Sequence, residues 1–336
     1  MIVIMKPHAQ MRDISAVITR IEDLGYRVHL SEGEERSIIG IIGNGRPIEA
    51  SQFGRMAGVE RAVRVSSPYK LAGRNFHPEN TTFKVGDLTF GQDLAIIAGP
   101  CAVESRSHII ETAWAIKEAG GHMLQGGAYK PRTSPYAFQG LGKQGLRYLS
   151  QAAEETGLPI VTEVVEPELV GLVAEHADVL ILGSRSMNNY ALLRAVGRAN
   201  RPCILKRGRS STIEEWLLAA EYILSHGNTR VMLCERGVAG FSQETHNTFD
   251  ISAIPLAKQY SHLPVLVDPS NGTGKWDLVS PVAKGAVAAG ADGVMLNVHL
   301  SPDEAMCDGG QSLKPERFAQ LVRDMTAIFS VTTQQR

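Results

Sequence analysis

The sequence has almost no net charge, no long apolar run and few cysteines, and each shortage closes off a class of function. Lys and Arg number 34 against 35 Asp and Glu, for a formal net charge of -1 over 336 residues. With no excess of either sign, neither nucleic acid nor a membrane surface is an expected partner. No uninterrupted apolar stretch approaches the length of a membrane span. The opening residues, MIVIMKPHAQMRD, turn polar too soon for a signal peptide, so a cytoplasmic protein is expected. Cys101, Cys203, Cys234 and Cys307 lie far apart, which argues against a zinc ribbon and against a disulfide scaffold. Cys203 and Cys234 sit inside apolar runs and read as core residues. Cys101 follows Gly99-Pro100 and Cys307 precedes Asp308-Gly309, so these two stand apart. No Gly-x-Gly-x-x-Gly follows the first strand of the larger segment, which lowers the dinucleotide-binding reading.

What is present is ample apolar material, 43% of the chain, in two different rhythms. Over residues 1–66 the pattern reads strand 2–5, helix 11–24, strands 26–30 and 37–42, a weak helix 47–57 and strand 62–65. That βαββαβ order predicts a small ferredoxin-like domain. Residues 67–93 are rich in turn formers and predict a connector with a hairpin, Thr82–Val85 and Leu88–Phe90, the boundary falling near Ser67. Over 94–330, apolar runs of strand length alternate with helical stretches. The runs begin at Leu94, His122, Pro159, Val179, Cys203, Val231, Val265 and Gly293. Strands of this kind, each followed by a helix, imply a parallel sheet covered on its faces. Eight such units in about 240 residues predict an α/β fold of the (β/α)8 TIM-barrel type, with a doubly wound open sheet as the alternative.

In a barrel the carboxyl ends of the strands carry the active site. Those ends collect polar and charged residues: Cys101, Gln125, Glu163, Arg185, Lys206, Arg236, Asp268 and Asn297. After Gln125 comes Gly126-Gly-Ala-Tyr-Lys-Pro-Arg-Thr-Ser-Pro135, in which two prolines stiffen a loop bearing Lys130 and Arg132. An isolated Lys-x-Arg is usually a solvated turn, but here cations recur at rim after rim position. Several cations on one rim suit an anionic substrate, most simply one carrying one or two phosphates.

Taken together, these segments resemble the 3-deoxy-D-arabino-heptulosonate 7-phosphate (DAHP) synthases, in the subgroup with an N-terminal ferredoxin-like domain. The resemblance covers nearly the whole chain. It rests on Gly99-Pro-Cys-Ala-Val-Glu-Ser105, Gly126–Gly142, Lys206-Arg-Gly, Cys234-Glu-Arg-Gly237, Asp250-Ile-Ser-Ala-Ile-Pro255, Asp268-Pro-Ser270 and Asp308-Gly-Gly-Gln-Ser-Leu313. It implies a TIM barrel and a transferase that forms a carbon–carbon bond between phosphoenolpyruvate and an aldose phosphate, erythrose 4-phosphate, in aromatic amino acid biosynthesis. It also implies roles. Arg185, Lys206 and Arg236 would hold the phosphoenolpyruvate phosphate. Lys130 would hold its carboxylate and shuttle a proton. Arg132, Thr133 and Ser134 would receive the aldose phosphate, and Glu163 would orient water or a lysine.

The resemblance breaks at the rim. The family's divalent-metal site takes a cysteine, a histidine, a glutamate and an aspartate. Cys101 and Asp308 match, whereas Asn271 and Asn297 stand at the other two positions. Amide oxygens ligate a divalent ion more weakly than imidazole or carboxylate, and one anionic ligand is gone, so the expected affinity is much weaker or nil. Gln125 stands where the family has an arginine beside the substrate carboxylate, a loss of about 1–3 kcal/mol in binding if nothing compensates. Four readings stay open on sequence: a working metal site with poorer ligands, a metal-independent condensation, a related enzyme acting on a different phosphorylated or acidic compound, and a non-catalytic ligand-binding barrel. No organic cofactor is expected. The resemblance further implies a homo-oligomer, a tetramer or a dimer, and an aromatic amino acid as effector of the N-terminal domain.

Overall fold

The computed structural model of the chain describes residues 1–33, 36–43, 48–63 and 68–333. Its residues group into two compact units, Met1–Asn80 with Tyr260–His262, and Thr81–Gln259 with Leu263–Arg336. The sequence-based boundary near Ser67 lies outside the described residues.

In the first unit, β1 (Ile2–Met5) leads into α1 (Met11–Asp23), followed by β2 (Arg27–Glu32), β3 (Ser37–Ile42) and β4 (Val59–Val63). The strands form one sheet in the order β2-β3-β1-β4, antiparallel at each junction. That is the ferredoxin-like strand order. Helix α1 buries Ile14, Val17 and Ile21, spaced three and four apart, on Val3, Met5, Ile39 and Ile41 of the sheet. The second helix expected over 47–57 is only one 3-10 turn, Ala50–Gln52, with residue 47 outside the described set. Gly54 interrupts the expected segment, where glycine weakens a helix, and Gly58 at φ +75° turns the chain just beyond it. The fourth strand lies earlier than expected, and residues 64–65 of that expectation lie outside the described residues.

The second unit opens with a hairpin, β5 (Phe83–Val85) and β6 (Leu88–Phe90). Eight strands then alternate with helices: β7 (Ala95–Gly99), β8 (Met123–Gln125), β9 (Ile160–Glu163), β10 (Val179–Leu182), β11 (Cys203–Lys206), β12 (Val231–Glu235), β13 (Val265–Val267) and β14 (Gly293–Asn297). All are parallel, and β14 pairs with β7, which closes the barrel. Helices follow at α2 (Arg106–Glu118), α3 (Lys143–Thr156), α4 (Val170–His176), α5 (Tyr190–Arg198), α6 (Ile213–Leu224), α7 (Ala253–Tyr260), α9 (Trp276–Ala288) and α10 (Pro315–Thr333). One further short helix, α8 (Pro269–Thr273), was not anticipated. Asp268 caps it by accepting the Asn271 backbone N–H at 2.9 Å, and Pro269 occupies its first turn. The residues Pro-Ser-Asn-Gly read as a plain turn without that cap.

Inward-facing side chains of the strands fill the barrel in layers. Ala95, Ile97, Met123, Val161, Ile181, Ile204, Met232, Leu266 and Met295 form one buried cluster, which Leu88 and Phe90 of the hairpin join. The hairpin turn at Gly86 lies beside Pro159, just ahead of β9, so it closes the amino end of the barrel. Truncating the fully buried Phe90 to alanine would cost about 3–5 kcal/mol through the cavity left there. No helix among the described residues is long and apolar enough to cross a membrane.

Candidate functional site

Strand side chains alternate with a period of two. Two residues beyond the inward Met123, Val161, Ile204, Leu266 and Met295 come Gln125, Glu163, Lys206, Asp268 and Asn297. The same faces that are apolar inside the barrel therefore turn polar at its carboxyl end. There Gln125, Glu163, Lys206 and Asn297 line a cavity of about 380 Å³ with Cys101, Lys130, Arg132, Arg185, Arg236 and Asp308, while Asp268 pairs with Lys206 behind it. Two glycines make room for these groups. A Cβ on Gly127 would stand 2.7 Å from the Cys101 carbonyl oxygen and 2.6 Å from Lys130 Cδ. One on Gly183 would stand 2.0 Å from Glu163 Oε1.

One side of the cavity is cationic. Lys206 Nζ lies 2.5 Å from Asp268 Oδ2. Burial opposes charge on both, but each opposes it less than its partner favours it: the Lys206 ammonium titrates above the lysine range and the Asp268 carboxyl below the aspartate range. Arg236 lies beside them, its Nη2 3.4 Å from Asn271 Oδ1. Burial lowers its pKa from the ordinary arginine value, and its Nη1 is buried with no partner among the described residues. Arg185 and Arg209 complete this side, Arg209 Nε donating to Asn247 Oδ1 at 3.0 Å. A buried donor on a guanidinium is costly to leave unpaired, and an anion with several oxygens would satisfy it. His246 sits nearby, its pKa lowered by burial and by Arg236 and Arg209, and so enters the cavity as a neutral ring at neutral pH.

The other side holds thiols and amides. Cys101 Sγ lies 3.1 Å from Cys307 Sγ and 2.9 Å from Asp308 Oδ2. Arg132 Nη1 donates to Cys307 Sγ at 2.7 Å. The hydrogen bond from Cys101, together with the charges of Lys130 and Arg132, holds the Cys307 thiol below the usual range; the same bond and burial raise Cys101. Asp308 is in the left-handed region at φ 54°, which an aspartate tolerates and which swings its carboxylate toward Cys101. Lys130 Nζ stands 3.8 Å from Glu163 Oε2. Burial disfavours its charge, but Cys101, Glu163 and Cys307 more than offset that, so Lys130 remains an ammonium.

Two of the four positions of the family's metal set, Asn271 and Asn297, do not fit a cation here. Gln125 Nε2 donates to Gly99 O at 3.2 Å, Leu296 O at 3.0 Å and Asn297 Oδ1 at 3.0 Å. The two backbone acceptors fix the Gln125 amide, and through it they fix Asn297 with its oxygen turned to Gln125. Asn297 Nδ2, a donor without a partner among the described residues, is what remains for the cavity. Asn271 is similarly engaged, donating to Asp268 Oδ2 at 2.8 Å and accepting from Arg236. A second group, Glu104, His108 and His299, is close enough to share an ion. However, the Ser301 N–H donates to His299 Nδ1 at 3.1 Å, so the ring's proton is on Nε2, facing Glu104 at 3.3 Å. That tautomer offers Glu104 a hydrogen bond and a metal nothing.

The cavity thus unites Cys101, Gln125, Lys130, Arg132, Thr133, Glu163, Arg185, Lys206, Arg236, Asn271, Asn297 and Asp308. Ser134 is outside the lining; its hydroxyl turns back on its own loop and accepts the Tyr136 N–H at 3.3 Å. Sequence reasoning missed Arg209, His246 and the contact role of Cys307. Arg209 lies three residues beyond the Lys206 strand end, close enough to have been counted. His246 lies in a loop between β12 and α7, where nothing in the sequence marks it.

Comparison with known proteins agrees with this fold. Residues 75–331 match the DAHP synthetase I family, and residues 1–67 match the DAHP synthase ferredoxin-like domain. A phospho-2-dehydro-3-deoxyheptonate aldolase of Thermotoga maritima is 48% identical over 326 residues, 97% of this chain and 96% of that protein. A 2-dehydro-3-deoxyphosphooctonate aldolase of Syntrophotalea carbinolica is 31% identical over 74% of this chain and 96% of its own length. The crystal structure of the Thermotoga maritima DAHP synthase superimposes with a TM-score of 0.78 at 47% identity, covering 98% of this chain and 97% of that one.

Proposed function

The chain belongs to the DAHP synthetase I family, and on that premise we propose that its barrel condenses phosphoenolpyruvate with an aldose phosphate, erythrose 4-phosphate in the first instance. The observation that carries this reading is the buried Arg236 Nη1, without a partner among the described residues, in a cavity that also holds Arg185, Lys206 and Arg209. In the proposed complex these cations bind the phosphoenolpyruvate phosphate. Lys130 meets its carboxylate, and Arg132 with Thr133 receives the phosphate of the aldose. The enol carbon bonds to the aldehyde carbon, whose oxygen takes up a proton. Water adds at the adjacent carbon, and the C–O bond to phosphate breaks, releasing inorganic phosphate. Lys130, held as an ammonium, stabilises negative charge developing on the aldehyde oxygen and is not the base. In this reading Glu163, 3.8 Å from Lys130, receives a proton from the attacking water.

One observation favours a second reading, in which the acceptor or the acid is altered. Gln125 is spent on internal hydrogen bonds and offers a carboxylate no charge-assisted partner. The deciding experiment mixes the full chain with phosphoenolpyruvate and erythrose 4-phosphate and follows inorganic phosphate and the 2-keto sugar acid together. Stoichiometric release of both supports the first reading. Thermal stabilisation by phosphoenolpyruvate without turnover directs attention to another acceptor, and no stabilisation by either compound overturns both.

A further inference from the structure

We propose that Cys307 and Glu104 are positioning residues for the aldose-phosphate end of the cavity: Glu104 fastens the segment that carries Cys307, and Cys307 aims Arg132. These roles rest on the reading that Arg132 receives the aldose phosphate. Neither Cys307 nor Glu104 lines the cavity, and no step of the condensation uses them. Arg132 lies on a loop stiffened by Pro131 and Pro135, but its own side chain is long and half-buried. A guanidinium free to swing loses rotamer freedom when it grips a phosphate, whereas one already held binds its anion at less cost. Among the described residues, the acceptor that holds Arg132 is Cys307 Sγ, 2.7 Å from Nη1. That contact engages one nitrogen of the guanidinium and leaves its other donors for an anion.

Cys307 sits on the segment between β14 and α10, and its place depends on a residue from the far end of the sequence. Glu104 follows β7, and its side chain is only 12% exposed. One of its oxygens accepts the Met306 N–H at 2.8 Å, and the other faces His299 Nε2 at 3.3 Å. His299 begins the segment and Met306 immediately precedes Cys307, so one carboxylate ties the start of the segment to the peptide beside the thiol. His299 is itself held: the Ser301 N–H donates to its Nδ1, and the His108 ring lies against it with centroids 4.1 Å apart. The segment is also tightly folded, since a Cβ on Gly309 would stand 2.0 Å from the Pro302 carbonyl oxygen. A carboxylate buried this far is costly, and the two donors offset that cost while fixing where Cys307 stands. The line of contact therefore runs from Glu104 through the Met306 peptide to Cys307 and on to the Arg132 guanidinium.

The test combines steady-state kinetics of the full chain on phosphoenolpyruvate and erythrose 4-phosphate with a readout that needs neither. Cys307→Val keeps roughly the same volume but accepts no hydrogen bond. It should raise the aldose KM about tenfold or more, with kcat and the phosphoenolpyruvate KM moved less than about threefold. Cys307→Ser restores an acceptor and should recover most of that loss; Cys307→Ala replaces the valine variant where valine does not fold. Glu104→Ala should raise the aldose KM in the same sense. Combined with Cys307→Val it should do no further harm, because Glu104 acts through Cys307. Equal rises in both KM values, additive effects, or a serine variant as impaired as the valine one overturn the proposal. Without substrate, phenylglyoxal should modify Arg132 severalfold faster in Cys307→Val than in wild type, and in Cys307→Ser at close to the wild-type rate, read by peptide mass spectrometry. Equal rates in all three overturn the proposal whatever the chain catalyses. The expected labelling in a chain that condenses neither compound upholds the hold on Arg132 and overturns the reaction instead.

Discussion

The two sides of the cavity differ in how their charges are supported. On the cationic side, Lys206, Asp268, Arg236 and Asn271 form a chain of paired, buried and half-buried groups that ends in a donor without a partner among the described residues. On the thiol side, Cys101, Cys307, Asp308 and Arg132 crowd at short distances around sulfur, behind an amide bridge from Gln125 to Asn297. The first is a fixed receptor for an anion. The second is built on neutral hydrogen bonds at Gln125 and has its ionisable groups at the edge. The lesson is that one rim can join two walls held by different forces, one by buried ion pairs and the other by thiols and neutral amides.

Breaking the fixed side should have the largest effect. Lys206→Met strands the fully buried Asp268 carboxylate and should destabilise the chain by about 3–5 kcal/mol, measured by urea unfolding. Adding Asp268→Asn to that variant should recover much of the loss; no recovery would show that the pair is not what supports this side. Arg236→Gln removes the unsatisfied donor and should lower kcat/KM for phosphoenolpyruvate roughly 10- to 100-fold, about 1.4–2.8 kcal/mol, with little change in stability. An equal effect on the aldose KM alone would exchange the assignments of the two phosphates. On the other side, Gln125→Leu removes the donor to two carbonyls and to Asn297, at an expected cost of about 1–3 kcal/mol in unfolding free energy. The smallest effect should come from acid. The folded pKa of Asp268 lies below its usual value of 3.8, so its stabilising contribution is complete above that pH and is lost only as pH falls through the lower folded value. Wild type and Asp268→Asn should therefore show parallel stability profiles from pH 7 to about pH 4 and converge only below that.

How legible this was from sequence varies by element. The barrel strands could be read directly, because burial on both faces makes runs such as Val179–Leu182 apolar throughout. The polar rim followed from the period of two. The short helix after Asp268 was hidden because its cap is a carboxylate that also reads as a turn former. The second helix of the N-terminal unit was overcalled where glycine punctuates the pattern. Gln125 stands out in the sequence, but its role does not, since β8 is brought within reach of Leu296 and Asn297 only when β14 pairs with β7, the strand between them. Cys101 and Cys307 are separated by 206 residues for the same reason. Spacing reveals what shares a strand face; it is silent on which strand ends meet.

The hairpin of β5 and β6 has a consequence for traffic. With Leu88 and Phe90 seated in the interior cluster, the barrel is stoppered at its amino end and open only at the other. Every molecule that enters must leave by the same doorway. Whatever sits deeper in that doorway arrives before, and leaves after, whatever sits above it.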